Sequence, residues 1–216
     1  MKAQRMLSTE GTLLSENTYN LTIGLTLLWG ILINMGMAFF LTPYIIQLDP
    51  RIVIIGYLVA SFGSIFVIAK SHNPAVSFLG FTILACAMGM LLTFFLTAYT
   101  SSTIYTAFLT TGIIVVSMII VSTLYPAFFL SLGRVLIFAL LGSIAIELIG
   151  GLIFHLSLGI MDYVVVVIFA GYIGFDWAKA QVYPKTLDNA IDSAADIYVD
   201  VVNIFIRILS IIGKKD

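Results

Sequence analysis

The chain has 216 residues, of which 61% are hydrophobic and only 10% are charged. Soluble domains carry about 25% charged residues, so this composition excludes an ordinary soluble domain and predicts an all-α polytopic membrane protein. The net charge of −1, without a basic patch, gives no indication of a nucleic-acid partner, and the single cysteine excludes a disulfide framework.

In chain order, polar residues predict a tail over 1–20, followed by a single membrane domain over 21–216. Seven apolar runs in that domain are long enough for helices that cross or nearly cross a hydrocarbon core of ~30 Å. Short polar breaks separate some of them, such as "QLDPR" at 47–51 and "KSHNP" at 70–74. The predicted helices cover about 21–48, 52–69, 75–98, 104–125, 135–155, 160–179 and 193–212.

The placement of lysine and arginine predicts the orientation, because cytoplasmic loops carry an excess of these residues. With the N-terminus inside, only Arg51 falls on the outer side. We therefore expect a multi-pass protein with a cytoplasmic N-terminus. Compact loops favour a bacterial cell membrane, with the endoplasmic-reticulum membrane as the alternative. The inner-side residues are Lys2, Arg5, Lys70, Arg134, Lys179 and Lys185.

The last helix conflicts with this rule, since a complete crossing would place Lys214 and Lys215 outside. A helix buried in protein can instead enter the bilayer and return, because irregular backbone is tolerated at membrane depth where lipid does not reach it. We therefore predict six transmembrane helices around a central, re-entrant C-terminal helix. Seven complete spans are the alternative.

The last predicted helix carries one polar seam, whose members fall within an arc of roughly 60°. A charged side chain at a helix centre in hydrocarbon costs about 2.5–3.5 kcal/mol. The seam is therefore expected to face protein or a water-filled path. It consists of Asp196, Asp200, Asn203 and Arg207.

Two aspartates are the main site candidates. Asp176 lies near the end of the sixth predicted helix, on the side where the last helix begins. Antiparallel pairing of these helices would bring it near Asp200, with Asp196 as an accessory neighbour. Two carboxylates in a dry site repel when both are charged, so they can share a proton. A protonated pair would clamp the helices, and a deprotonated pair would open or take a cation.

Other interpretations of these residues stay open. Asp200 could be a lone carboxylate bound by a serine or a backbone group, and Asp176 an interfacial acid beside Trp177. Carboxylate oxygens favour Ca²⁺ over soft metals, so Asp176 and Asp200 are the expected Ca²⁺ path. Paired intramembrane acids also occur in proton-coupled transporters, but the sequence shows no inverted repeat or discontinuous helix pair.

Two further charges within apolar runs are accessory candidates. Arg207 could neutralise a carboxylate on a neighbouring helix or extend to the headgroups near Lys214. Glu147, in the middle of the fifth predicted helix, could line a path or donate a hydrogen bond while protonated. No P-loop, nucleophile elbow, zinc-protease motif or dinucleotide turn is present, so we predict a protein that is not an enzyme and needs no cofactor.

The segment "AADIYVDVVNIFIRILSIIG" at 194–213 closely resembles the terminal helix of the Bax inhibitor-1 family, the transmembrane Bax-inhibitor-motif family. "YIGFDWAKAQ" is similar to the end of that family's sixth helix, which carries an aspartate before a polar loop. The strong resemblance covers 165–213, and the rest of the chain is similar in architecture. The residues of the terminal helix that fit in order are Tyr198, Asp200, Asn203, Phe205 and Arg207.

The resemblance implies a pH-sensitive calcium leak, with Ca²⁺ as the permeant ion and protons as the signal. Residue by residue, Asp176 and Asp200 correspond to its pH sensor. A basic residue of the second helix would lock the sensor, and Lys70 is the base nearest to that place. The resemblance also implies an alternative function, a regulator that binds other membrane proteins such as a membrane protease.

Overall fold

The computed structural model describes residues 12–152 and 159–213. Within these ranges the chain is helical apart from turns, loops and one isolated antiparallel bridge between Leu13 and Thr186. The helices are α1 (Glu16–Gly36), α2 (Thr42–Ile45), α3 (Pro50–Lys70), α4 (Pro74–Leu96), α5 (Ser101–Leu124), α6 (Pro126–Ser131), α7 (Gly133–Leu152), α8 (Gly159–Val182) and α9 (Leu187–Gly213).

Six helices in the described ranges are long and apolar enough to cross a membrane: the Glu16–Ile45 span, which contains α1 and α2, and then α3, α4, α5, α7 and α8. Helix α9 is not among them, because every stretch of 18 residues within it holds at least three charged side chains. The predicted all-α membrane fold is therefore confirmed. The re-entrant, central path of the last helix stays a prediction.

Two helix starts follow directly from capping residues in the predicted breaks. Asp49 Oδ1 accepts the N–H of Arg51 at 2.8 Å, and Asn73 Oδ1 accepts the N–H of Ala75 at 2.9 Å. A proline follows each cap, which suits the first helical position because the N–H there has no partner within the helix. Both helices begin within two residues of their predicted starts.

Other boundaries differ from the prediction. Helix α1 begins at Glu16 rather than 21, because Ser15 Oγ accepts the N–H of Thr18 at 3.2 Å. Helix α9 begins at Leu187 rather than 193, because Thr186 Oγ1 accepts the N–H of Asn189 at 3.2 Å. The short helix α6 lies in a predicted link. The predicted tail up to 11, the end of the fifth helix at 153–155 and the lysines at 214–215 lie outside the described residues.

The first span contains a π-helical turn, Met37–Leu41, between α1 and α2. Pro43 follows this turn; it has no N–H to donate, and in a regular α-helix its ring would clash with a carbonyl one turn earlier. The wider π-turn removes that conflict, and Thr42 Oγ1 donates to the Ala38 carbonyl at 2.5 Å. Proline therefore changes the local geometry without ending the span.

The chain forms two compact units. Of the described residues, 12–98 and Val182–Tyr198 form the first, and 99–152, 159–181 and 199–213 form the second. Helix α9 thus contributes its first half to the first unit and its second half to the second unit.

In the first unit, α4 packs against α1 and α3. Close approach depends on glycine: a Cβ at Gly80 would lie 2.8 Å from Ile68, and one at Gly30 would lie 2.8 Å from the Tyr198 ring. The core side chains include Tyr19, Ile23, Val53, Ile68, Phe81, Leu84, Ile197 and Tyr198.

In the second unit, α8 carries the small residues that allow close packing. Phe129 of α6 lies against Gly174, and Leu136 of α7 lies 2.8 Å from the place of a Cβ at Gly171. Ser122 Oγ of α5 donates to the Gly174 carbonyl at 2.5 Å. These contacts fix α8, which carries Asp176 and Asp162, against its neighbours.

Candidate functional site

The two predicted sensor residues lie in the second unit, on α8 and α9. Asp200 is 5% exposed, and the Asp176 side chain is 11% exposed. Lys179 Nζ donates to Asp176 Oδ1 at 3.1 Å from one turn further along α8. Both carboxylates lie within electrostatic range of the Tyr172 hydroxyl, one turn before Asp176. The described contacts therefore pair Asp176 with one ammonium and leave both aspartates nearly buried in the same unit.

Arg207 pairs with carboxylates on two other helices of the second unit. Its Nη1 and Nη2 donate to Glu147 Oε1 and Oε2 of α7 at 2.6 and 2.9 Å, which is a bidentate ion pair. Nη1 also donates to Asp162 Oδ1 of α8 at 3.0 Å. Ser210 Oγ donates to Asp162 Oδ2 at 3.0 Å. Of the two sequence interpretations of Arg207, the geometry corresponds to neutralisation of neighbouring carboxylates.

Asp162 and Tyr172 are among the residues of these groups that the sequence did not mark as site candidates. Asp162 is 8% exposed. Its position inside the first turn of an apolar helix is the signal that could have marked it. Tyr172 gave no signal by itself, because one tyrosine in an apolar helix is ordinary; only its spacing of one turn from Asp176 could have indicated it.

The remaining accessory candidates are placed differently. Asn203 Nδ2 donates to the Val199 carbonyl of its own helix at 2.8 Å. Asp196 is half-buried in the first unit. Lys70 is exposed, and its ammonium lies 4.3 Å from the centroid of the Phe66 ring on the same helix.

Tyr198 forms a buried polar contact in the first unit. Asn34 Nδ2 donates to the Tyr198 hydroxyl at 2.7 Å, and that hydroxyl donates to Asn34 Oδ1 at 3.0 Å. The Tyr198 ring packs edge-on against Phe81 with centroids 5.3 Å apart. This arrangement satisfies the hydrogen-bonding groups of the Asn34 side-chain amide inside an apolar environment.

The loop between α8 and α9 is attached to the start of the chain's first helix. The N–H of Leu14 donates to the Lys185 carbonyl at 2.7 Å, and the Lys185 ammonium lies 4.6 Å from the Tyr19 ring centroid. Partial burial lowers the pKa of Lys185, while the negative charge of Glu16 acts in the opposite direction. The Tyr19 hydroxyl lies 3.3 Å from Ser193 Oγ.

The described residues contain no group of three or more histidine, cysteine, aspartate or glutamate side chains placed to hold a metal ion. The Ca²⁺ of the prediction is a permeant ion, and a permeant ion needs only weak, transient ligands.

In a comparison with known protein families, residues 12–216 match the family described as "Inhibitor of apoptosis-promoting Bax1". An uncharacterized membrane protein of Streptococcus pyogenes serotype M3 is 30% identical over 158 residues, which are 68% of this chain and 67% of that protein. An uncharacterized membrane protein of serotype M1 is 29% identical over the same shares. No solved structure gives a significant match. The match confirms the resemblance seen at 165–213 and extends it: the chain belongs to the Bax inhibitor family of multi-pass membrane proteins.

Proposed function

We propose that the protein is a pH-sensitive calcium leak channel, gated by a proton shared between Asp176 and Asp200. The observation that carries the proposal is the near-complete burial of both carboxylates in the second unit, with Asp200 5% exposed and the Asp176 side chain 11% exposed. Family membership and six apolar spans support it, because the proposed activity requires a multi-pass membrane protein.

The chemistry of the group suits a switch. With a proton between them, the two carboxylates hydrogen-bond and hold α8 against the second half of α9. Without that proton, two negative charges in a poorly solvated place repel, and the Lys179 ammonium in contact with Asp176 compensates part of that charge. A divalent cation then replaces the proton as the compensating charge.

The test is Ca²⁺ flux into proteoliposomes that contain a calcium dye, measured between about pH 6 and pH 8, where a carboxylate pair with a shared proton can titrate. The wild-type flux is expected to change across this range, and Asp176→Asn and Asp200→Asn to remove the pH dependence. Asp49→Asn is the matched control, because Asp49 is an exposed helix cap and asparagine caps equally well.

The proposal fails if both site variants keep the wild-type flux and its pH profile. It also fails if wild-type vesicles leak Ca²⁺ no faster than empty vesicles at any pH. A flux that distinguishes Ca²⁺ from Na⁺ and K⁺ would define the selectivity of the path.

A regulator that binds other membrane proteins, without transport, is the second candidate. The family description names an inhibitor of another protein, and this action can be proposed for the chain. The regulator is favoured if purified protein gives no flux while the protein extracted from membranes retains a stoichiometric protein partner. A flux that depends on Asp176 and Asp200 in pure vesicles would contradict it.

A further inference from the structure

A three-helix ion-pair group lies in the second unit, separate from the two sensor aspartates. Arg207 of α9 is held bidentately by Glu147 of α7, and the same Nη1 contacts Asp162 of α8. Ser210, one turn from Arg207, occupies the second oxygen of Asp162. We call the four residues the Arg207 clamp.

The Arg207 clamp and the sensor region are separated by the same number of residues on α8 and on α9. Asp162 and Tyr172 are ten residues apart on α8, and Ser210 and Asp200 are ten residues apart on α9. Ser210 contacts Asp162, so the first turn of α8 lies against the last turn of α9. Because the spacing is the same on both helices, Tyr172 and Asp200 each lie about 15 Å from this contact along their own helix.

Arg207 and Asp200 also share one face of α9. They are seven residues apart, which is two helical turns and a rotation of only about 20° from alignment. A side chain that fixes the height and rotation of Arg207 fixes those of Asp200 as well. The bidentate geometry suits this task, because a planar guanidinium matched to a carboxylate defines an orientation as well as a distance.

We propose that Arg207 is a positioning residue that sets the separation of Asp200 from Asp176, and hence the pH at which the channel responds. This inference rests on the proposed function. The titratable and charged groups in the described contacts around the sensor are Tyr172, Asp176 and Lys179 on α8. Those of the clamp are Glu147, Asp162 and Arg207 itself.

The functional test compares Arg207→Gln and Arg207→Lys in the proteoliposome assay. Arg207→Gln should shift the midpoint of the flux–pH profile by about one pH unit or more. The substitution removes the positive charge beside Glu147 and Asp162, and it removes the contacts that fix the position of α9 relative to α7 and α8. Arg207→Lys should restore part of the shift, because it keeps the charge and loses the bidentate contact. Arg134→Gln is the matched control, because Arg134 is exposed on α7.

A distance measurement tests the clamp without flux. In a Cys86→Ser background, spin labels at Val167 and Ile212 report the separation of α8 and α9 from two exposed positions of the second unit. Arg207→Gln should broaden or shift the distance distribution. If it fails to fold, Asp162→Asn, which weakens one arm of the clamp, is measured in the same way.

The outcomes separate the two proposals. If the wild type shows no pH-dependent flux, the proposed function fails, and a shifted distance distribution alone would retain the clamp as a determinant of helix register. If the wild type responds to pH and Arg207→Gln changes neither its profile nor the distances, the inference about Arg207 is overturned.

Discussion

Gly30 of α1 provides a sharp test of the packing in the first unit. A Cβ at this position would lie 2.8 Å from Cε2 of Tyr198 and 2.9 Å from Cζ of Phe81. Both rings are 0% exposed, and Asn34 holds the Tyr198 hydroxyl in both directions. Neither ring can move away without loss of another contact, so Gly30→Ala is expected to strain the core.

The magnitude follows from a comparison within the same helix. Overpacking of a well-packed core costs about 1–3 kcal/mol. Replacement of glycine by alanine in a helix interior gains about 1 kcal/mol in helix propensity. Gly24 is also in α1, and a Cβ there would meet no atom within 4 Å. Since the propensity gain is common to both, Gly30→Ala should be less stable than Gly24→Ala by about 1–3 kcal/mol.

The measurement is the free energy of unfolding of the two variants, obtained by titration with a denaturing detergent in mixed micelles. Gly24→Ala is expected to be as stable as the wild type or slightly more stable. Equal free energies for Gly30→Ala and Gly24→Ala would refute the packing of Tyr198 and Phe81 against α1.

Two further predictions use the same titration. Tyr198→Phe should lower the unfolding free energy by about 1–3 kcal/mol, since it leaves the buried Asn34 amide without its partner; an unchanged value would contradict that contact. In the second unit, Gly174→Ala should cost about 1–3 kcal/mol because its Cβ would overlap the Phe129 ring, whereas Gly142→Ala, which meets no atom within 4 Å, should cost nothing. A similar cost for both glycine variants would argue against the close approach of α6 to α8.

The membrane fold was predictable because it depends on composition and on local breaks. Apolar runs marked the spans, and the Asp-Pro and Asn-Pro pairs marked two helix starts. The starts of α1 and α9 were missed because hydrophobicity reports only the part of a helix that lipid or protein covers. Polar first turns, such as the one after Thr186, continue a helix beyond that part.

The charged candidates were predictable, but the partners of Arg207 were not. Glu147, Asp176, Asp200 and Arg207 were visible because charge in an apolar run is costly. The pairing of Arg207 with Glu147 and Asp162 depends on which helices are neighbours, and a single sequence does not contain this information. The contacts of Tyr198 with Asn34 join residues 164 positions apart and were hidden for the same reason.

The contact between Asn34 and Tyr198 in the first unit also has a consequence for biosynthesis. Its first helix enters the bilayer with the Asn34 amide among apolar residues, and the hydroxyl that satisfies this amide is made 164 residues later. At about 5–20 residues per second, that delay is on the order of ten seconds. Until Tyr198 leaves the ribosome, a water molecule, a lipid carbonyl or an insertase has to provide the hydrogen bonds of the Asn34 amide. A nascent chain released before that point would therefore present an unsatisfied polar group to the membrane quality-control machinery.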